Sequence, residues 1–262
     1  GAQGDPALCR ELGTVLATRC GALGANLDFA PVADVWSNPD NTVIGKRAFS
    51  SDPDTAARMA AETAAGLTEG GVIPVVKHFP GHGDTAVDSH YDLPVVDKTP
   101  DELEALELIP FRTAVENGAP AVMVAHLLVR PLDAERPASL SPAVVTGLLR
   151  EELGFDGVVV TDDLTMGAVT GRYGMGEAAV LAVEAGCDVL LVCHGQDELQ
   201  EAYDALLAAV GSGRVTAERL DESVYRILKL KSDYALTNAP AAEPDTESVN
   251  RQTAELRQWL QG

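Results

Sequence analysis

Five short apolar runs alternate with helical patterns along this chain, and the alternation limits the choice of fold more than any other feature. The runs cover residues 26–35, 71–79, 121–129, 156–164 and 187–193. Their apolar residues fall on both faces rather than alternating with polar ones, which is typical of parallel strands covered by helices. The helical patterns fall near residues 5–22, 53–69, 100–117, 141–152, 174–185, 197–210 and 216–231. Repeated strand–helix units predict an α/β fold, either a doubly wound sheet or a (β/α)8 barrel.

Two of the predicted helices carry start signals. Thr99-Pro100-Asp101-Glu102 combines an N-cap residue, a proline at the first helical position and an acid that can complete a capping box. Ser141-Pro142 predicts the start of another helix in the same way.

Polar residues near the strand ends distinguish between the two α/β folds. Asp34, the pair Lys77-His78, His126 and Asp162 all fall toward the C-terminal ends of their runs. A doubly wound sheet concentrates its site at one switch point, whereas a barrel gathers residues from several strands at one end. No glycine-rich dinucleotide fingerprint follows any of the runs. The sequence therefore predicts a TIM-barrel type fold.

The number of predicted strands falls short of a closed barrel. A complete (β/α)8 barrel has eight strands, while this chain shows five and opens with a helical pattern, so the first three β/α units are lacking. Five strands alone leave two exposed parallel edges, and we therefore expect a partner chain or a further segment to complete the barrel. The predicted domains are a partial barrel at 1–235 and a linker plus C-terminal helix at 236–262, which covers an edge or begins a further domain.

Charge and composition exclude some partners. Lys and Arg total 19 against 40 Asp and Glu, a formal net charge of −21, so a basic surface for nucleic acid or for an anionic membrane is not expected. No apolar run reaches the roughly 18 residues of a membrane-spanning helix. The four cysteines form no C-x-x-C pair, and Cys187 and Cys193 are expected to be buried, reduced thiols. Reduced thiols fit the cytoplasm, while a secreted or lipid-anchored location stays open.

A loop rich in titratable residues follows the second run. The stretch VVKHFPGHGDTAVDSHYDLP, residues 75–94, holds three histidines and three aspartates. A metal site is one interpretation, but the Pro-Gly-His-Gly stretch at 80–83 excludes the helix that an i, i+4 histidine pair would need. Acid–base chemistry is another, because the Asp88 carboxylate can fix the tautomer of His90 and raise its basicity. A third is a loop in which both residues bond only to local backbone.

A second acidic site closes the fourth run, where Asp162 and Asp163 stand side by side. Successive side chains on a strand point to opposite faces, so one of the two is expected to face the mouth of the barrel. A carboxylate at that place, opposite a proton donor on a nearby loop, suits displacement at the anomeric carbon of a sugar. The alternative for Asp163 is the N-cap of the following helix.

Several stretches together resemble glycoside hydrolase family 3. They are NLDFAPVADV, NPDNTVIGKRAFSSD, KHFPGHGDTAVDSH and GVVVTDDLTMGAV. The resemblance runs from about residue 5 to about residue 235 and is greatest to the bacterial β-N-acetylglucosaminidases that act on peptidoglycan fragments. It implies a TIM barrel and a retaining glycosidase that needs neither a metal nor a cofactor.

The resemblance implies how catalysis would proceed. Asp162 matches the nucleophile that forms a glycosyl-enzyme, and His90, polarised by Asp88, matches the acid/base. Most retaining glycosidases use a carboxylic acid in that second role. An imidazole repels an anionic acceptor such as phosphate less than a carboxylate does, so some phosphorolysis is a further hypothesis. The implied substrate is terminal β-linked N-acetylglucosamine on a muropeptide or a chitooligosaccharide.

The resemblance also implies a group of residues that bind the sugar. They are Arg47, Lys77, His78 and, in a further family motif, Asp34. Met166, just after the nucleophile segment, is a candidate for packing against the sugar. His126 either lines the pocket or belongs to the core, and His82 is expected to order the loop, as are Asp84 and Thr85.

The chain also departs from the family pattern. Family members carry an upstream Asp-x-Glu-Gly-Gly type motif whose acid grips the sugar, and nothing in residues 1–25 matches it. Other functions therefore stay open: a β-glucosidase or a phosphorylase on the same scaffold, a truncated sugar-binding protein without activity, and a metal-dependent hydrolase that uses the histidine loop.

Overall fold

A parallel sheet of five strands, in the order β1-β2-β4-β6-β7, forms the centre of the molecule. The computed structural model describes residues 4–85, Ser89, 93–239 and 245–261. The five strands are Leu27–Asp28 (β1), Ile73–Phe79 (β2), Ala121–Val124 (β4), Val158–Asp163 (β6) and Val189–Leu191 (β7). A small second sheet pairs β3 (Val95–Val96) with β5 (Leu128–Val129). The large sheet curls into half of a barrel, so the partial TIM-barrel type fold is confirmed.

Helices separate the strands of the large sheet, as parallel connections require. They are α1 (Pro6–Ala22), α2 (Pro53–Glu69), α3 (Pro100–Glu104), α4 (Ile109–Glu116), α5 (Gly167–Thr170), α6 (Met175–Ala185), α7 (Gln196–Ser212), α8 (Ala217–Asp233) and α9 (Thr246–Gln261). A π-helix spans Ala143–Glu152, and short 3-10 helices span Gly45–Arg47 and Ala138–Leu140. None of the helices in the described part of the chain is both long and apolar enough to cross a membrane.

The segment predicted as one helix at residues 100–117 forms two. A turn at 105–108 separates α3 from α4, and Pro110 stands in the first turn of α4. A proline inside a continuous helix would remove one hydrogen bond and clash with the carbonyl four residues earlier, so a new helix begins there. The prediction of a single helix is wrong for this reason.

Both predicted helix starts are confirmed, but only the first has a side-chain cap. Thr99 N donates to Glu102 Oε2 at 2.8 Å and Glu102 N donates to Thr99 Oγ1 at 3.3 Å, so the capping box of α3 is confirmed. Ser141 does not cap the π-helix, because its hydroxyl donates to Asp133 Oδ2 at 2.7 Å. A hydrogen bond to a carboxylate is stronger than a neutral one, which accounts for the difference.

The apolar runs at 26–35 and 121–129 do not form single strands. β1 covers two residues of the first run, and a separate bridge pairs Val32 with Lys77. The second run divides between β4 in the large sheet and β5 in the small one. The small sheet was not predicted, since strands of two residues are too short to produce a periodic pattern.

The core has two layers, one on each face of the large sheet. Residues that pack beneath the helices include Val122, Val124 and Val159. Their neighbours along the strands pack on the opposite face and include Met123, Val158 and Val160. Ile227 and Leu230 of α8 lie against this second face. The central strands β2, β4 and β6 are therefore mostly buried on both sides, as their apolar runs predict, while the edge strands β1 and β7 are partly buried.

The C-terminal helix α9 packs against α1, where Leu256 joins an apolar cluster with Leu8 and Val15. The sequence predicts that this helix either covers a sheet edge or begins a further domain. In the structure, α9 contacts another helix, α1. The division between 1–235 and 236–262 stays a prediction.

Candidate active site

A cavity of about 200 Å³ opens at the carboxyl ends of the strands in the large sheet. Parallel strands all end at the same edge, so residues from separate strand–helix units meet there. The polar residues of its wall are Arg47, Lys77, His78, His82, Ser89, Asp162 and Asp163. Its apolar residues include Phe29, Met123 and Leu191. The cavity therefore brings together four of the predicted site residues: Arg47, Lys77, His78 and Asp162.

A larger groove of about 600 Å³ lies between α2 and α4. Small side chains such as those of Ala60 and Ala114 line it. Its Arg10 is already paired with Glu62 at 2.6 Å and with Glu69 at 2.5 Å. The smaller cavity, which gathers charges of both signs at the strand ends, is therefore the better candidate for a site of chemistry.

Arg47 reaches the cavity from the 3-10 helix Gly45–Arg47, in which Gly45 has a φ of +43°. One guanidinium nitrogen donates to Val43 O at 3.2 Å, and another lies 3.4 Å from His78 Nε2. A guanidinium can only donate hydrogen bonds, so the nitrogen of His78 that faces it is the unprotonated one.

Asp34 holds His78 from behind. Asp34 is fully buried, and its Oδ2 lies 2.6 Å from His78 Nδ1, while its Oδ1 accepts from His82 N at 2.7 Å. Burial alone would raise the pKa of Asp34, but the charges and hydrogen bonds of His78 and His82 lower it below its usual value. Asp34 is therefore ionised and orients His78, and it has no exposed surface with which to touch a ligand.

Lys77 lies near the end of β2, partly buried in the wall of the cavity. Burial lowers the pKa of its ammonium group, and the positive charge of Arg47 lowers it further. The Asp162 carboxylate acts in the opposite direction. Lys77 and Arg47 thus place two hydrogen-bond-donating cations in the wall, and such groups suit the oxygen atoms of a ligand.

The adjacent residues Asp162 and Asp163 have different partners. Asp162 lines the cavity, and its Oδ1 accepts from Asp163 N at 2.8 Å. Asp163 accepts from Thr165 N and from Cys193 N, each at 3.0 Å. Burial alone would raise the pKa of Asp163, but the hydrogen bond from the Thr165 hydroxyl, at 2.6 Å, and these two backbone hydrogen bonds lower it. Met166 holds the N-cap position of α5, so the expected N-cap role of Asp163 is wrong: it closes a turn and ties β6 to the segment after β7.

Two glycines of the loop after β2 are required by close packing. A Cβ at position 83 would lie 1.7 Å from Val35 O, so no side chain fits there. Gly81 has a φ of +128°, and a Cβ there would lie 2.7 Å from the Cβ of Glu107. Gly83 thus lets the chain pass close to the segment that carries Asp34, and Gly81 lets it pass close to Glu107.

An ion-pair cluster that the sequence did not indicate holds the base of the same loop. Lys98 Nζ lies 3.0 Å from Asp84 Oδ2 and is hydrogen-bonded to Glu107 Oε1. Glu107 is 1% exposed, and its Oε2 has no hydrogen-bond partner among the described residues. Burial raises the pKa of Glu107; burial alone would lower that of Lys98, but its hydrogen bonds to the two carboxylates raise it. The three residues come from separate segments of the chain, so no fixed spacing in the sequence could predict that they pair.

The predicted acid/base residues Asp88 and His90 lie outside the described residues, so their role stays a prediction. Ser89, between them, is described: it lines the cavity and is 2% exposed. Within the described ranges, no group of three or more His, Cys, Asp or Glu side chains is placed to hold a metal ion.

The other candidates lie outside the cavity wall or differ from expectation. His126 is fully buried, with Nδ1 2.7 Å from Ser139 Oγ and Nε2 2.9 Å from Asp163 O, which matches the core alternative. Met166 is nearly buried and is not part of the described wall, so its contact with a sugar stays a prediction. Cys193 is exposed and lines the cavity, contrary to the buried thiol expected, because β7 ends two residues earlier.

A family comparison leads to the same part of the chain. Residues 1–230 match the family described as Glycosyl hydrolase family 3 N terminal domain. The chain belongs to glycoside hydrolase family 3. The match includes every residue that lines the cavity, from Phe29 to Cys193.

Curated relatives of this family 3 chain are named β-hexosaminidases. One from Neisseria gonorrhoeae is 42% identical over 205 residues, which is 78% of this chain and 56% of the relative. Beta-hexosaminidase LpqI from Mycobacterium tuberculosis is 43% identical over 215 residues, 80% of this chain and 55% of the relative. The chain thus spans about half the length of the curated relatives it matches.

Solved structures of family 3 members have the same fold. A family 3 β-N-acetylglucosaminidase from Paenibacillus superposes with a TM-score of 0.87 at 46% identity, covering 95% of this chain and 49% of that one. The β-glucoside phosphorylase BglX superposes with a TM-score of 0.89 at 30% identity, covering 97% and 47%. The half-barrel therefore corresponds to about half of these longer family members.

Proposed function

We propose that this family 3 protein hydrolyses terminal β-linked N-acetylglucosamine from peptidoglycan fragments or chitooligosaccharides, with retention at the anomeric carbon. The observation that carries the proposal is the cavity at the strand ends, where the Asp162 carboxylate shares a wall with Arg47 and Lys77. A retaining glycosidase needs a carboxylate at the anomeric carbon and donors for the sugar hydroxyls around it. The names of the relatives support the same substrate class.

In the proposed mechanism, Asp162 is the nucleophile and His90, oriented by Asp88, is the acid/base. The Asp162 carboxylate attacks the anomeric carbon as the bond to the leaving oxygen breaks, and that oxygen takes a proton from His90. Water then attacks the glycosyl-enzyme, gives a proton to His90 and releases the Asp162 carboxylate. No cofactor or metal enters these steps.

Sugar binding is assigned to the polar residues of the cavity wall. Arg47 and Lys77 would donate to sugar oxygens, and His78 Nε2 would accept from a sugar hydroxyl or from Arg47. Asp34 would act through His78, because it is buried behind that ring. Met166 would add an apolar contact where the sugar extends past the wall.

We propose that full activity requires further strands that complete the barrel. Among the described strands, β1 and β7 form the two edges of the large sheet. Parallel edges present unpaired backbone groups, so further strands from a partner chain or another segment would pair with them. Those strands would also supply the wall of the cavity that faces away from Asp162.

The test is release of the aryl alcohol from an aryl N-acetyl-β-glucosaminide by the wild type and by Asp162→Asn. Loss of the nucleophile should lower kcat by a factor on the order of 10⁴, with an unchanged circular dichroism spectrum. Asp156→Asn is the matched control, because Asp156 is 87% exposed and precedes β6 at the end far from the cavity. A near-normal rate in Asp162→Asn would remove this residue from the mechanism.

A second candidate function is a phosphorylase on the same scaffold. The cations Arg47 and Lys77 in the wall would tolerate a phosphate acceptor, and one structural relative is named a β-glucoside phosphorylase. Adding phosphate to the same assay separates the two, because a phosphorylase releases sugar 1-phosphate. Faster cleavage of an aryl β-glucoside would indicate a β-glucosidase, and glycan binding without turnover would indicate a sugar-binding protein.

A further inference from the structure

The cavity wall contains a buried pair, His82 and Ser89, that the proposed reaction does not use directly. His82 Nε2 lies 3.1 Å from Ser89 Oγ, and each residue is 2% exposed. The carbonyl oxygen of Ser89 accepts from Ala168 N, in α5, at 3.2 Å. Ser89 is thus held between the segment after β2 and the segment after β6, the strand that carries Asp162.

His82 is itself fixed on its other sides. Its Nδ1 lies 2.7 Å from Thr85 Oγ1, and its N–H donates to Asp34 Oδ1 at 2.7 Å. Its carbonyl oxygen accepts from Asn41 Nδ2 at 2.7 Å. The position of the ring is therefore determined largely by residues outside the stretch 86–92.

Both ring nitrogens of His82 are hydrogen-bonded to hydroxyl groups. Burial lowers the pKa of His82, so the ring is neutral near pH 7 and carries a single N–H. Its Nδ1 faces Thr85 Oγ1 at 2.7 Å and its Nε2 faces Ser89 Oγ at 3.1 Å, so the neutral ring donates to one hydroxyl and accepts from the other. Either tautomer therefore keeps the hydrogen bond between His82 and Ser89. Each of these buried polar atoms has a partner of the correct kind.

We propose that His82 is a positioning residue: it fixes Ser89 in the cavity wall and so limits the place of the two residues bonded to Ser89, the predicted acid/base pair Asp88 and His90. The proposal rests on the proposed function for the role of that pair. Consecutive Cα atoms are about 3.8 Å apart, so fixing one residue restricts both neighbours. A misplacement of about 1 Å can cost on the order of 100-fold in rate.

The first test compares leaving groups, because proton donation matters for a poor leaving group and little for a good one. Ser89→Ala should lower kcat/KM, which reports the step that expels the leaving group, about 10- to 100-fold for the phenyl glycoside of N-acetylglucosamine, and less than about 3-fold for the dinitrophenyl glycoside. The second step, in which His90 acts as the base, starts from the same glycosyl-enzyme with both substrates and does not enter this comparison. An equal loss on both substrates, or no loss on either, would overturn the proposal.

The same comparison shows whether His82 acts through Ser89. His82→Gln should reproduce the leaving-group dependence of Ser89→Ala, and the double variant should be no worse than either single one. Additive losses would assign the two residues separate roles and would contradict the proposal.

Ser223 offers a matched control. It is a buried serine whose hydroxyl donates to Asp188 Oδ1 at 2.7 Å, and Asp188 precedes β7 at the end far from the cavity. Ser223→Ala should lower Tm but leave the ratio of the two rates unchanged. A change in that ratio would show that any loss of a buried hydroxyl produces the effect, and would overturn the assignment.

A second measurement does not depend on activity and so separates this proposal from the proposed function. The Ala168 N–H is protected by the carbonyl oxygen of Ser89. Its hydrogen exchange, followed by NMR, should be at least about tenfold faster in Ser89→Ala and in His82→Gln, and unchanged in Ser223→Ala. Unchanged exchange in Ser89→Ala would overturn the proposal. If the wild type cleaved no glycoside and exchange were still faster in the two variants, the result would support the role of His82 in fixing Ser89. The same result would reject the proposed function.

Discussion

Lys77 and His78 are neighbours in the sequence, yet the fold prepares the two side chains in different ways. His78 is oriented by the buried Asp34 carboxylate, which lies 2.6 Å from its Nδ1. The pKa of Lys77 is lowered by burial and by the charge of Arg47. At the scale of single residues, a side chain in the cavity therefore depends on neighbours that do not all reach the cavity.

Gly83 is a residue whose replacement has a predictable cost. Gly83→Ala should lower the free energy of unfolding by about 1–3 kcal/mol, as overpacking does. The added methyl group would lie 1.7 Å from Val35 O, and a backbone carbonyl cannot rotate away as a flexible side chain can. Urea denaturation, followed by circular dichroism, measures the change.

Gly211→Ala is the matched control for Gly83→Ala. Gly211 lies in α7, and a Cβ there meets nothing within 4 Å. Alanine in place of glycine inside a helix is expected to raise stability by about 0.5–1 kcal/mol. If Gly83→Ala were as stable as Gly211→Ala, the close packing against Val35 would be incorrect.

Short elements hold the base of the loop after β2, although long helices dominate the molecule. β3 pairs with β5 just after this loop, and Lys98, two residues past β3, reaches Asp84 and Glu107. Glu107 lies in the turn between α3 and α4. One lysine thus joins three segments around the loop.

Lys98→Met should destabilise the protein by about 3 kcal/mol, because it leaves the buried Glu107 carboxylate without its partner. The double variant Lys98→Met/Glu107→Leu should lose less than Lys98→Met alone, since no unpaired buried charge remains. Urea denaturation of the wild type, both single variants and the double variant gives the coupling free energy. Purely additive losses would mean that the ion pair contributes no coupling.

At the scale of the whole molecule, the sheet is half of a barrel with a helix on its inner side. Ile227 and Leu230 of α8 pack on the face that carries Met123 and Val160. The opposite face packs beneath the other helices. Each face of the central strands therefore has a helix against it, while the edges β1 and β7 are where further strands would pair.

Two buried histidines should make the stability of the whole protein sensitive to acid. Burial lowers the pKa of His82 and of His126. An unfolded histidine takes up a proton near pH 6.5, and the folded residues do so only at lower pH. Below about pH 6.5 the unfolded state binds more protons, so the free energy of unfolding should fall by up to about 1.4 kcal/mol per pH unit for each histidine.

Glu107 acts against this trend. Its pKa is raised in the folded state, so as the pH falls the folded protein takes up this proton before the unfolded protein does. The free energy of unfolding therefore gains a contribution from Glu107 as the pH falls toward about 4.3, the usual pKa of an unfolded glutamate. Because two histidines oppose one carboxyl group, the free energy of unfolding should be lower at about pH 5.5 than at about pH 7.5. Urea denaturation at both values measures it, with His194→Gln as the control because His194 is 83% exposed. A constant or rising stability would contradict the buried, neutral histidines.

Local patterns in the sequence were enough for the elements and for the side of the molecule that carries the site. The capping box of Thr99 and Glu102 depends on residues three apart, and such contacts follow from helix geometry alone. The strand-end positions of Lys77 and Asp162 predicted a shared cavity, because parallel strands end at one edge. The roles of Asp88 and His90 came from resemblance and stay predictions.

Only the tertiary structure decided which polar groups meet. Asp34 and His78 are 44 residues apart in the sequence, and Asp163 and Cys193 are 30 apart. Hydrogen bonds at such separations leave no periodic signal in the sequence, and whether a buried polar atom is satisfied depends on the three-dimensional neighbours that folding supplies. The sequence thus determined the fold class and the residues with chemical potential, and the packing of distant segments decided which of them line the cavity and which hold the others in place.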